Sequence, residues 1–461
     1  MKHLKTEQRR AFLKKMALGI GSTSLLATQT NLQLMKAAVA ADYNNINDHK
    51  SLVCVFLQGG NDSFNMFVPY QQSAYNAYSS ARTSLAIPRN KLLALKGNQH
   101  AFHPSMPKLR SLYNSDKLGV VRNVGALIRP TSRNAFQNGT AELPAELFSH
   151  NHQQEFWQTG KTAKASVHAP GWGGKMMDLL SSANTNSNEP AMFSVAGNSL
   201  WQKGVKPLDF VLNTNQGVEE ISAFKNHSWP YWKTSRVDAW DQILQLNHDA
   251  SLKQHMSSTY IKTQQRISAL ISQIAQAQTI NTPYPSNNRL AKQLKMVAKM
   301  ISIRENLGMK RQIFFVAING WDSHGNQLKD HKNNLILVDD ALDSFYKTTV
   351  EFGLEDSVTT FTASEFGRSY SINGDGTDHA WAGHNLVLGG AVNGGLVHGN
   401  SIDLSVNGQH DAGDTGRFIP SHGVDQYGAT LAKWMGMTNS DILDVFPNLH
   451  NFNNRDMGFM I

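Results

Sequence analysis

Cysteine is almost missing from this chain: Cys54 is the single thiol in 461 residues, so no intramolecular disulfide can form in any redox compartment. It sits inside the apolar run 52–57, where a thiol serves as a small buried hydrophobe and not as a nucleophile. Long apolar runs are missing as well. The mildly apolar, glycine-containing stretch 16–27 is shorter than the 18 or so residues a membrane helix needs, and nothing later approaches that length. Internal repeats, low-complexity tracts and long charge runs are also lacking. Surplus charge disappears once it is located. Of the formal +8, most belongs to residues 1–40, which carry Lys2, Lys5, Arg9, Arg10, Lys14, Lys15 and Lys36 against Glu7 alone. About +2 is left on the remainder, which excludes the basic surface of a nucleic-acid binder. A hydrophobic fraction of 40% with 17% charged residues describes an ordinary globular chain.

What the first forty residues do contain is specific. The sequence QRRAFLKK at 8–15 is a twin-arginine signal, and Ala38-Val39-Ala40 supplies an A-x-A cleavage site before Ala41. The expected partner is the twin-arginine export machinery, and the expected location periplasmic or secreted, with no membrane span after signal removal. The rest divides into a first α/β part at 41–211, a helical insertion or cap at 212–306, and a second α/β part at 307–461.

Three stretches share one design. Residues 52–57 read as a strand running into Gly59-Gly60-Asn61-Asp62, residues 313–318 as a strand running into Asp322 and His324, and 358–361 as a strand running into Glu365. The last is followed by a loop holding Asp378, His379 and His384 before an apolar run at 385–392. Rigid sheets position reactive groups on the loops at strand ends. Asp322 and His324, two apart in an extended segment, fall on one side. Acidic and imidazole groups at three strand ends point to a shared metal centre. Ser149 stands where a helix begins, which makes it an N-cap, a nucleophile activated at a helix N-terminus, or both. His103, His150, His152 and His422 read as hydrogen-bonded or surface histidines. Elsewhere the chain predicts helices at 109–112, 171–180, 240–278, 290–307, 328–352 and 424–435, and strands at 118–124 and 191–196.

The run TFTASEFGR followed by GTDHAWAGHNLVLGG resembles the metal-binding region of the alkaline phosphatase and sulfatase superfamily, most closely its phosphopentomutase branch. Asp62-Ser63-Phe64 matches that branch's opening strand. Together with the leader, Phe148-Ser149-His150-Asn151, Trp321-Asp322-Ser323-His324-Gly325, Ser364-Glu365-Phe366-Gly367-Arg368 and Val424-Asp425-Gln426-Tyr427, the chain resembles an exported bacterial family of unknown function assigned to that superfamily. The resemblance implies an α/β fold with a central, mostly parallel sheet flanked by helices. It implies Asp322, His324 and His379 around one cation, Asp62 and Glu365 around a second, and Ser149 as nucleophile between them. Asp378 would ligate or orient an imidazole, and Arg368 would clamp the anionic substrate. One or two divalent ions (Zn, Mn or Fe) suit such donors. Phe366 departs from the superfamily, which has a ligating histidine there; His384 is the candidate to replace it. The expected function is a metal-dependent hydrolase of a small anionic ester; the competing one is a non-catalytic envelope binding or assembly protein on the same fold.

Overall fold

Two nine-residue strands set the architecture. β1 (Lys50–Gln58) and β8 (Arg311–Asn319) run parallel, from Lys50 opposite Arg311 to Gln58 opposite Asn319. Both are nearly unbroken apolar runs, buried along their length, as strands covered on both faces must be. β9 (Val358–Ala363) pairs with the other side of β1, also parallel. The structure is a computed structural model, and it describes residues 43–160, 170–186, 189–205, 209–215, 217–218, 238–240, 242–244, 246 and 251–461. The twin-arginine motif and its cleavage site lie outside the described residues.

The main sheet runs in the order β11 (Val397–His398), β5 (Leu118–Gly125), β10 (Gly383–Leu388), β9, β1, β8, β6 (Met192–Ser194), β7 (Asp209–Val211), with β12 (His422–Gly423) also on β5. Among the described strands of this sheet only β10 runs against its neighbours. A small antiparallel sheet of β2 (Phe67–Pro69), β4 (His100–Phe102) and β3 (Leu93–Ala94) stands beside it. This is the α/β architecture expected from the sequence, a mostly parallel sheet flanked by helices.

The period of two along β1 sends its side chains to two cores. Val53, Val55 and Leu57 join one apolar cluster with helices α6 (Arg289–Ser302) and α7 (Gln327–Glu351). In α6 the contacts are Leu290, Leu294, Val297 and Ile301, one stripe of a helix, begun by Asn288, whose side chain accepts from Leu290 N and Ala291 N. Ile267 and Leu270 of α5 (Ser251–Ala275) enter the same cluster. On the other face an aromatic layer forms, with Phe56 6.0 Å from Phe315 and Trp172 5.1 Å from Trp201. Cys54 is buried on this side of the strand, and burial pushes its thiol pKa up. The remaining helices used below are α1 (Gln72–Arg82), α2 (Pro107–Asn114), α3 (His150–Thr159), α4 (Trp172–Leu180) and α8 (Val424–Trp434).

The consequence for function is at one rim. Because β9, β1 and β8 are adjacent and parallel, their carboxyl ends emerge together, and the loops that follow carry Glu365, Asp62 and Asp322. Groups far apart in sequence are thereby delivered to one place.

Candidate metal centre

The rim depends on a close backbone approach. Gly59 has φ +121°, and a Cβ there would lie 2.3 Å from Asp322 N, so only glycine lets the β1 loop pass against the β8 loop.

Asp322 gathers the site. Its Oδ1 lies 2.8 Å from Arg368 Nη1, 3.1 Å from His324 Nε2 and 3.2 Å from His379 Nε2, and its Oδ2 lies 3.4 Å from His150 Nε2. Each ring is held from behind by an acceptor. His379 Nδ1 is 2.8 Å from the Phe148 carbonyl, His150 Nδ1 is 2.9 Å from Glu365 Oε1, and His324 Nδ1 is 3.5 Å from Asp378 Oδ1. A neutral ring that donates from Nδ1 carries only a lone pair at Nε2. Those lone pairs then face a carboxylate, and the Nε2 atoms of His324 and His379 face each other at 3.1 Å. Such a convergence repels itself until a proton or a cation enters it. The donors fit one divalent cation: the ligand atoms of His150, Asp322 and His379 lie within 4.8 Å of one another, and outer hydrogen bonds that fix the ring tautomer are what metal-binding histidines carry. Side-chain exposures of 45% for Asp322 and 50% for His324 leave the cluster open to a ligand from solvent.

The charges follow this geometry. Partial burial pushes the Asp322 carboxyl up, but the Arg368 hydrogen bond and charge, with the imidazoles, bring it below its ordinary value. His150 is raised, by the Glu365 hydrogen bond foremost, against burial. His379 is lowered, by burial first and then by the charges of Arg368 and His150, despite its Phe148 hydrogen bond.

The other residues singled out in the sequence take different places. Glu365 is fully buried; its Oε1 accepts from Gly59 N, Gln154 Nε2 and His150 Nδ1 at 2.8 to 2.9 Å, and its Oε2 is buried without a protein partner among the described residues. Asp62 is paired with the Arg82 guanidinium, both side chains 0% exposed, and with Gln327 Nε2. The positive charge that a second cation would bring to Asp62 is therefore already present as arginine. Asp378 stands behind His324 and is held by Asn373 Nδ2 at 3.1 Å. His384 is not part of the cluster: its ring packs edge-on against Phe64 and Phe67, and its Nδ1 accepts from Asn123 N. Arg368 is 0% exposed and turned towards the protein, bonded to Asp322, Thr377 and the Gly59 carbonyl. It positions Asp322. Ser149 is the N-cap residue of α3 by position, but its side chain makes no capping bond; Oγ lies 3.2 Å from His152 Nδ1.

His150 was the residue that sequence reasoning passed over. Its signal was present: His150 and Gln154 are one helical turn apart and both reach Glu365. The turn before α3 is strained, with Glu146 at φ 47° and Phe148 at φ 70°, a backbone state that persists where surroundings enforce it. Here it aims the Phe148 carbonyl at His379. Phe366, in the place of the superfamily's histidine, stacks on His379 with ring centroids 4.6 Å apart at 28°. It lays an apolar platform under that imidazole and has no donor atom of its own.

A family model described as a protein of unknown function, DUF1501, matches residues 49–415. The chain belongs to the DUF1501 family. None of the curated proteins compared with it matches. Among solved structures, this DUF1501 chain is similar to the lipoteichoic acid synthase LtaP from Listeria monocytogenes, at 7% identity over 92% of this chain and 80% of that one, TM-score 0.34. It is similar to a protein in the alkaline phosphatase superfamily from Vibrio parahaemolyticus, at 9% identity over 86% and 68% of the two chains, TM-score 0.35. It is also similar to the PsFucS1 sulfatase from Pseudoalteromonas sp., at 9% identity over 94% and 73%, TM-score 0.32. At such scores these likenesses carry no argument about this chain.

Proposed function

We propose that the chain is a metal-dependent hydrolase of an anionic ester of the phosphate or sulfate kind, working with one cation. The observation that carries this is the convergence of three imidazole Nε2 atoms on the Asp322 carboxylate, each ring held from behind. A bound cation supplies Lewis acidity there, polarising an ester oxygen and balancing charge as it develops. His150, His324, His379 and Asp322 hold it, Glu365 keeps the Nδ1 proton of His150 in place, and Arg368 fixes the Asp322 carboxylate. Ser149, between the residue that braces His379 and the residue that joins the cluster, is the nucleophile: His152 Nδ1 at 3.2 Å accepts its proton and passes it to the alcohol as the ester bond breaks, and water then releases the acid from Oγ and restores the serine. With Arg368 committed to Asp322, the group for the substrate's anion is Arg417. Its guanidinium lies over the Phe148 ring at 4.9 Å, with Nε buried and unpartnered among the described residues.

The signal at 8–15 supports export through the twin-arginine route to the periplasm or beyond. No helix of the described residues is long and apolar enough to cross a membrane.

The test is hydrolysis of p-nitrophenyl phosphate and p-nitrophenyl sulfate by periplasmic protein, before and after chelation and after return of Zn, Mn or Fe. The expected result is turnover of at least one ester, lost on chelation and restored by a metal. A second reading, a non-catalytic binding or assembly protein of the envelope, is favoured by the Arg82–Asp62 pair and by Phe366. It gives a loaded cation and no turnover of either ester.

A further inference from the structure

A second cavity of about 300 Å³ lies between the loop 401–405, α1 and the bulged part of β5, lined by Arg122, Asn123, His100, His384, Phe67 and Tyr370 among others. The bulge comes from the pairing of β5 with β10. Val124 faces Gly383 and Val121 faces Asn385, so Arg122 and Asn123 together oppose the single residue His384. Two residues against one re-aim the side chains of the longer strand, and Asn123 takes φ 56° to do so.

What the bulge delivers is a set of unmet polar groups. Arg122 donates its Nε to the Gly399 carbonyl at 3.0 Å, and neither Nη has a partner among the described residues. Burial lowers its pKa with no carboxylate to oppose the shift. Asp403 also lines the cavity, but its Oδ1 accepts from Ser405 N at 2.9 Å, and the charge it responds to is His410. His384 Nδ1 accepts the Asn123 N–H at 3.2 Å, so in the neutral ring the proton sits on Nε2, a donor without a protein partner among the described residues. Burial, with the Arg122 charge behind it, keeps His384 and His100 neutral, near 3 and 4. Asn123 is 2% exposed; its Nδ2 donates to the Asn400 carbonyl at 2.7 Å, while its Oδ1 is buried with no partner among the described residues. Flat walls complete the space, with Phe67 stacked on His100 at 4.5 Å and Tyr370 opposite the loop.

An unpaired cation, an imidazole donor and an orphaned amide oxygen ask for a ligand that has both negative charge and a hydroxyl. A bare anion leaves the buried Asn123 Oδ1 unmet, which is costly, and a neutral polyol forgoes the charge-assisted bonds that Arg122 offers. We propose that this cavity binds a small hydroxylated anion, a single sugar ring bearing a phosphate, sulfate or carboxylate group. It is a different place from the cation cluster: no residue that gathers around Asp322 lines it.

The test is titration calorimetry of the full chain with glucose 6-phosphate, glucose 6-sulfate, glucuronate and, as the uncharged control, glucose. At least one charged sugar is expected to bind, with glucose weaker by about tenfold or more, the usual scale for a lost charge-assisted bond. Which of the three binds identifies the anionic group. Arg122→Gln is expected to lose that binding about tenfold or more and Arg122→Lys to recover part of it, while Asp322→Asn leaves it unchanged. Ala77→Trp, at an exposed helix position on the cavity wall, is expected to abolish binding with an unaltered melting temperature, and it decides the matter if Arg122→Gln does not fold. The proposal is overturned if none of the charged sugars binds, if glucose binds as well as they do, or if binding survives both Arg122→Gln and Ala77→Trp.

Discussion

Asp322 meets three imidazoles and one guanidinium while nearly half exposed, more partners than a surface carboxylate requires for solubility or for a loop turn. The residues behind the rings carry a test of their own. Glu365→Gln keeps an oxygen for Gly59 N but removes the charge that orients His150, so cation affinity should fall about 10- to 100-fold, read by competition with a chelating dye. An unchanged affinity would mean that His150 is a bystander. Arg417→Ala should raise KM for the ester by about tenfold or more with kcat less affected, since a substrate anion loses a charge-assisted bond; a fall in kcat alone would place Arg417 elsewhere in the mechanism. At this scale the sequence was legible where chemistry and strand ends coincide, as at Asp322, His324 and His379. It gave His150 only as a hydrogen-bonded or surface histidine, because a histidine opening a helix looks like any polar helix start. It placed His384 in the loop as a stand-in for the missing ligand, whereas β10 already begins at Gly383 and carries that ring away from the cluster. Asp62 shows the same limit: nothing near it in sequence announces Arg82 twenty residues on.

Elements fix how these residues meet. Gly59 is the hinge of the rim, and Gly59→Ala adds about 1–3 kcal/mol of backbone strain besides forcing the Asp322 backbone away. Both a lower urea midpoint and a weaker cation site are expected; a stable variant with normal cation affinity would show the approach to be dispensable. In α8, Asp425 is fully buried with Asn448 N 2.9 Å from its Oδ2, and burial pushes its carboxyl up to about 7. The unfolded chain releases this proton near pH 4. The folded state therefore binds more protons between about pH 4 and 7, so this contribution is full below pH 4 and is lost as pH rises through 7, on the order of 2–4 kcal/mol in all. Asp425→Asn should remove that slope: the difference in unfolding free energy, variant minus parent, rises from pH 4 to 7 and then levels. Parallel profiles would contradict the assignment. The long elements were legible in the sequence because period and length agreed, as in β1, β8, α6 and α7. The reversed direction of β10 and the two-residue strands β11 and β12 were not, since strand direction and short pairings are set by tertiary contact alone, whereas β6 (Met192–Ser194) falls within the strand expected at 191–196.

At the scale of the molecule, the mostly parallel sheet does for the site what no local motif can, bringing residues from 62 to 379 to one rim. The resemblance read from the sequence anticipated this rim and two cations at it. Arg82 on Asp62 and Phe366 under His379 are why the function proposed above works with one. Because a cation held by the folded rim has no such site in the unfolded chain, chelation should lower the melting temperature, and saturating metal should raise it. The most direct measurement is metal content per chain after loading with Zn, Mn or Fe and dialysis, for the parent, Asp322→Asn and His150→Ala. The expected result is one equivalent on the parent and a large loss on both variants. No bound metal on the parent, or two equivalents that His150→Ala leaves in place, would contradict a single centre built from three imidazoles and Asp322.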